Sequence, residues 1–126
     1  MKRARGNLDV ICEGLAAVWS TQGREFVTFE VEGPGGPDAD RWIQFLDGEL
    51  NVRWPVHEEP ATALASRGIA LPRTAFAKWH VAGRNAAFDT GDAPLGEVAR
   101  FVEALFERIV AGQSSFRVIA RVERHA

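Results

Sequence analysis

Three histidines, one cysteine, four serines and two close pairs of carboxylates are the side chains of this sequence most able to do chemistry. His57, His80 and His125 have no His or Cys partner at metal-ligand spacing, so a zinc site would need further ligands from scattered carboxylates. No metal and no cofactor is expected. His80 falls in a strand with Lys78 on the outer side, from where an imidazole can act as a general base; a solvated or hydrogen-bonded strand histidine is the simpler reading. Ser20, Ser66, Ser114 and Ser115 stand in no nucleophile-elbow context, and Cys12 falls on an apolar helical stripe rather than at an activating site. Glu58 with Glu59, or Asp89 with Asp92, could form an acid/base pair. Both pairs precede expected helices, where carboxylates favour the helix dipole. Nothing in this set names a catalytic residue, so the chain is expected not to be an enzyme.

The Gly33-Pro34-Gly35-Gly36-Pro37-Asp38-Ala39-Asp40 run has the glycines of a phosphate cradle, but no Lys-Ser or Lys-Thr follows it and its prolines remove backbone donors. A loop is expected there. With 15 Lys+Arg against 17 Asp+Glu in 126 residues, the chain has no global attraction to phosphates, and nucleic acid is not an expected partner. Charge is uneven: residues 1–63 hold 6 basic and 11 acidic side chains, residues 64–126 hold 9 and 6. The late Arg117, Arg121 and Arg124 read as a charged edge strand protected against aggregation. No apolar run approaches the ~20 residues that span a bilayer. The basic start at Met1 to Gly6 is not followed by a signal-type apolar stretch, so a cytoplasmic location is expected and membranes are not.

These side chains must be positioned by elements whose periods are legible. One domain with a real core fits the length, over 1–126. Asn7 is read as the N-cap of a helix with Leu8, Ile11, Cys12, Leu15, Ala16 and Trp19 on one face, ended by Gly23. From Glu25 to Glu32 the period falls to two, with Val27, Phe29 and Val31 on one side. The clearest signal is Arg41 to Leu46, then Asp47-Gly48, then Glu49 to Trp54: alternating runs around a pair suited to a type I′ turn. That turn sets Leu46 against Glu49, Phe45 against Leu50, Gln44 against Asn51 and Ile43 against Val52. Ile43, Phe45, Leu50 and Val52 then share an apolar face, extended by Trp54. Trp42, Arg53, Gln44, Asn51, Leu46 and Glu49 share the other, with a cation–π contact expected between Trp42 and Arg53.

Pro60 opens a short helix with Ala61, Leu64 and Ala65 inward, closed by Gly68 and Ile69. Phe76 to Ala82, with Ala77, Trp79 and Val81 inward, turns at Gly83-Arg84-Asn85 into Ala86 to Thr90. Asp92 is read as the N-cap of a long helix over Pro94 to Ala111, with Leu95, Val98, Phe101, Val102, Leu105, Phe106 and Ile109 as its stripe. An alternating terminal strand follows within 115–124. The fold class is α+β: an antiparallel sheet joined by hairpins, with two long helices packed on one face.

Arg41-Trp42-Ile43-Gln44-Phe45 with Leu50-Asn51-Val52, the Leu64 to Pro72 segment and the helix from Leu95 to Phe106 resemble the type III secretion chaperone-like and YbjN-like (TY-Chap) superfamily. The resemblance covers Leu8 to Gly112. Trp42, Gln44 and Phe45 match the strand motif, and Val98, Phe101, Val102 and Leu105 the helix. Ile69-Ala70-Leu71-Pro72 reproduces the aromatic-plus-Pro feature only in part, and the strand 115–124 is additional. The resemblance implies a non-enzymatic domain that binds a peptide or protein client and often dimerises. The residues expected to hold the client are Trp42, Gln44, Leu46, Asn51 and Arg53, through the sheet face or edge. An immunity or antitoxin-like inhibitor of a single partner, and a small enzyme using His80, are the competing readings. A homodimer through the sheet face or long helix is a further expectation.

Overall fold

The computed structural model describes residues 6–72, 76–80, 84–112 and 115–125. Its order is α1 (Asn7–Val18), β1 (Glu25–Gly33), β2 (Gly36–Leu46), β3 (Glu49–Arg53), α2 (Pro60–Ser66), β4 (Phe76–His80), β5 (Asn85–Asp89), α3 (Leu95–Leu105) and β6 (Val118–Arg124). The strands form one antiparallel sheet in the order β4-β5-β3-β2-β1-β6. This is the α+β class read from the alternating periods.

The hairpin between β2 and β3 fixes the middle of the sheet. Asp47 and Gly48 hold φ of 46° and 82°, the pair of positive values that a type I′ turn requires. The register is the expected one: Ile43–Val52, Gln44–Asn51, Phe45–Leu50 and Leu46–Glu49. The turn is locked from β5, because Thr90 donates both its N–H (2.8 Å) and its Oγ1 hydroxyl (2.7 Å) to the Gly48 carbonyl.

Across the sheet the ladder continues one apolar row, Phe88–Leu50–Phe45–Val27, all fully or almost fully buried. Both long helices meet that face. On α1, Gly14 is pressed so closely to Phe29 that an added Cβ would lie 2.5 Å from the ring. On α3, Phe101 meets Phe88 edge-on at 5.3 Å. Burying this many Phe, Leu, Ile and Val side chains, at about 1.5–3 kcal/mol each, is the main source of stability.

Several local expectations are corrected. Asn7 is not the N-cap: Gly6 is, and Asn7 turns its carboxamide to the far end of the chain, donating from Nδ2 to Phe116 O (3.0 Å) and accepting at Oδ1 from Val118 N–H (2.9 Å). The Gly/Pro run is not an open loop. β1 extends to Gly33 and β2 begins at Gly36, because Gly36 at φ 120° lets the chain reverse at once, with a register shift between Glu30 and Glu32. In α2 the buried residues are Pro60, Ala63 and Leu64, while Ala61 and Ala65 are exposed. Its end is as read: Gly68 at φ 66°, and Ile69 N–H bonded to Leu64 O.

Asp92 does not cap α3; Pro94 holds that position. The long helix is also not uniform. After Leu105 it widens into a π-helical turn, Phe106–Val110, closed by Ala111 N–H on Phe106 O at 2.9 Å. Phe106, Ile109 and Val110, at i, i+3 and i+4, are all buried, so the apolar stripe of α3 continues through the wider turn. The inward Val81 and part of the Gly83-Arg84-Asn85 turn lie outside the described residues, as do the side chains of Ala77 and Trp79.

Candidate functional site

The outer face of the sheet is built by the residues that alternate with the apolar row. β2 contributes Trp42, Gln44 and Leu46, and β3 contributes Asn51 and Arg53, all half-buried. Gln44 lies directly opposite Asn51 on one side and Thr28 on the other, and its Nε2 donates to Thr28 Oγ1 at 3.4 Å. Trp42 lies opposite Glu30, which is buried to 8% exposure and sits 3.7 Å from Arg121 of β6. The five residues expected to hold a client therefore share one surface of two adjacent strands. Arg53 Nη2 stands 3.8 Å from Asp40 Oδ1 on the extended β2. Sequence reasoning missed this pair because it read residues 33–40 as a loop.

At the far side of this surface Asn51 pairs with Ala87 and Arg53 with Asn85. Ala87 is 1% exposed although it belongs to the outer set. The Asn85 Oδ1 is buried without a hydrogen-bond partner among the described residues.

Two concavities lie elsewhere. Trp19, at the end of α1, stacks flat on Phe45 with centroids 5.3 Å apart, and with Asp47, Thr90, Asp92 and Pro94 it borders a cleft of about 330 Å³. A groove of about 420 Å³ separates α1 from β6. Each joins segments far apart in sequence, so no local pattern signals either.

The candidate acid/base groups are placed as follows. Glu58 does not act at a helix start. Arg67 grips it in a fork, Nη1 to Oε2 and Nη2 to Oε1, both at 3.1 Å, and this hydrogen bonding holds the Glu58 carboxyl below the ordinary 4.5. Asp89 Oδ1 accepts from Gly91 N–H at 2.8 Å, the bond of a tight turn. Burial raises Glu103 above its ordinary range, with Glu107 adding to the effect and Arg100 opposing it. Cys12, expected on the buried stripe, is half-buried beside the core. The His80 side chain and Ser114 lie outside the described residues. Among the described residues no group of three His, Cys, Asp or Glu side chains could hold a metal ion, and no helix is long and apolar enough to cross a membrane. Comparison of the chain with protein-family models, with curated proteins and with solved structures finds no match.

Proposed function

We propose that this chain is a non-enzymatic, chaperone-like binding module of the type III secretion chaperone-like and YbjN-like kind, which holds an extended peptide or a partner protein on the outer face of its sheet. The observation that carries this reading is the mixed surface of Trp42, Gln44, Leu46, Asn51 and Arg53 on β2 and β3, opposite the helix-bearing face. An indole and a leucine beside amide and guanidinium groups offer apolar contact area and hydrogen bonding together, the composition of protein contact surfaces.

The indole and the Leu46 side chain supply the hydrophobic contact, Gln44 and Asn51 satisfy main-chain groups of the client, and Arg53 favours an acidic or carbonyl-rich segment. The test is affinity capture from native lysate with wild-type protein and with the Trp42→Ala/Arg53→Glu variant, followed by mass spectrometry. Proteins retained by the wild type should be lost by the variant, while the melting temperature changes little because both side chains are only half-buried. Unchanged capture would remove this face from the reading. One nanomolar partner in place of several weaker ones would favour the immunity-like alternative.

A further inference from the structure

β6 is an edge strand of the sheet, paired with β1 on one side alone among the described residues. The Glu32 N–H bonds to Arg117 O and the His125 N–H to Arg24 O, both at 2.8 Å, so the odd-numbered backbone groups of this strand point at β1. By alternation those of residues 118, 120, 122 and 124 point away from the sheet. Asn7 holds two groups on this outward edge: its carboxamide takes Val118 N–H and Phe116 O, as a residue of a neighbouring strand would. The N–H groups of Ala120, Val122 and Arg124 have no partner among the described residues. Val122 is 41% exposed, one of the few large apolar side chains so exposed among the described residues, and Ala120 and Val122 border the groove under α1 with Val10, Gly14 and Ala17.

We propose that this edge pairs with the same edge of a second copy of the chain, antiparallel, about a two-fold axis at Val122. Three features on the strand select that occupant and that register. First, the outward N–H groups left open after Asn7 has taken that of Val118 are those of residues 120, 122 and 124, and these are symmetric about Val122: Ala120 meets Arg124 of the other copy, and Val122 meets Val122. Second, on the outer side of the sheet Arg121 Nε stands 2.6 Å from Glu123 Oε1 of its own strand, and this register sets each such pair against its counterpart in the other copy, Arg121 opposite Glu123 twice, so that the four charges alternate in sign. Third, the long side chain of Arg124 is placed over small Ala120, in the groove that Glu13 borders on α1. The alternatives are disfavoured. Centring on Arg121 sets two guanidinium groups face to face, and centring on Arg121 or on Ala120 needs the Val118 N–H that Asn7 already holds. The result is one continuous sheet through two copies, formed by an isologous contact.

Light scattering over a rising concentration series tests the pairing. The wild type should move from 13.8 kDa toward twice that mass. Val122→Pro should remain monomeric at every concentration, with its circular dichroism and urea midpoint little changed, because the N–H it removes takes no part in the β1–β6 ladder. Should that variant fail to fold, Glu123→Lys, which sets like charges across the axis, should lower the dimer fraction at least tenfold. Val122→Cys in a Cys12→Ser background should form an intermolecular disulfide on mild oxidation, since directly opposed Cα atoms in such a pair lie about 5.5 Å apart; Ile119→Cys should not. A wild-type monomer at all concentrations would overturn the proposal, even if an added peptide occupied the edge instead. So would a dimer that survives both Val122→Pro and Glu123→Lys, which would place the contact on another surface.

Discussion

Replacing Asn7 by alanine probes how the last strand is held. The substitution removes the bonds to Phe116 O and Val118 N–H, at 3.0 and 2.9 Å. Each is worth about 0.5–1.5 kcal/mol net, and Val118 is almost fully buried, so its N–H is not freely rehydrated. Alanine in the first turn of α1 returns roughly 0.5 kcal/mol of helix propensity. The expected net loss is about 1–2 kcal/mol, read from urea denaturation, or about 4 °C per kcal/mol in melting temperature for a domain of this size. The loss should be local in origin, so hydrogen exchange at the Val118 amide should accelerate more than exchange in β3. Asn7→Asp keeps the acceptor for Val118 but sets a carboxylate against the Phe116 carbonyl, and it should fall between wild type and alanine, helped by the helix dipole. An alanine variant within about 0.3 kcal/mol of wild type, with Val118 exchange unchanged, would refute the clamp.

Gly14→Ala should lower stability by up to about 2 kcal/mol: the added Cβ meets the fully buried Phe29 ring, and overpacking outweighs the ~1 kcal/mol gained in helix propensity. Chemical denaturation checks the sign, and a rise in stability would show that α1 stands further from the sheet. Glu58 has a folded pKa below its unfolded one, so its pairing with Arg67 stabilises above the ordinary 4.5 and is lost as pH falls through the folded value. Glu58→Gln should accordingly be less stable than wild type at neutral pH and match it in acid, as acid titration of the two melting temperatures would reveal. Glu103 has the opposite sign. Its folded pKa is raised, so Glu103→Gln should be the more stable protein at neutral pH, by less than about 1 kcal/mol given its partial exposure, with the advantage vanishing below the unfolded pKa.

The β2–β3 hairpin was readable because Asp47-Gly48 admits one tight turn and each strand alternates cleanly; turn chemistry and period then leave a single register. The stripe of α3 was readable for the same reason. What local pattern could not carry was whatever depends on distant residues. Asn7 looks like a cap because asparagine caps helices often, yet its amide is claimed by residues 109 and 111 positions away. The Gly/Pro run looks like a loop because glycine and proline end strands, yet pairing with its neighbour extends β2 back to Gly36. The outer-face residues were placed correctly relative to one another by the hairpin alone. The approach of Asp40 to Arg53, the cleft at Trp19 and the open edge of β6 each required knowing which strands lie side by side.

The place of β1 between β2 and β6 also orders the assembly of the sheet in time. On one side β1 meets a strand that follows it after a two-residue reversal. On the other side Val31 pairs with a residue 87 positions away and Glu25 with one 99 positions away. Closing so long a loop costs entropy that only the finished ladder returns. The β1–β2–β3 meander is therefore expected to form before β6 docks, leaving one flank of β1 bare in the meantime. Until the C-terminal strand arrives, another unfinished chain can take its seat, so the yield of renaturation should fall as chains are crowded together.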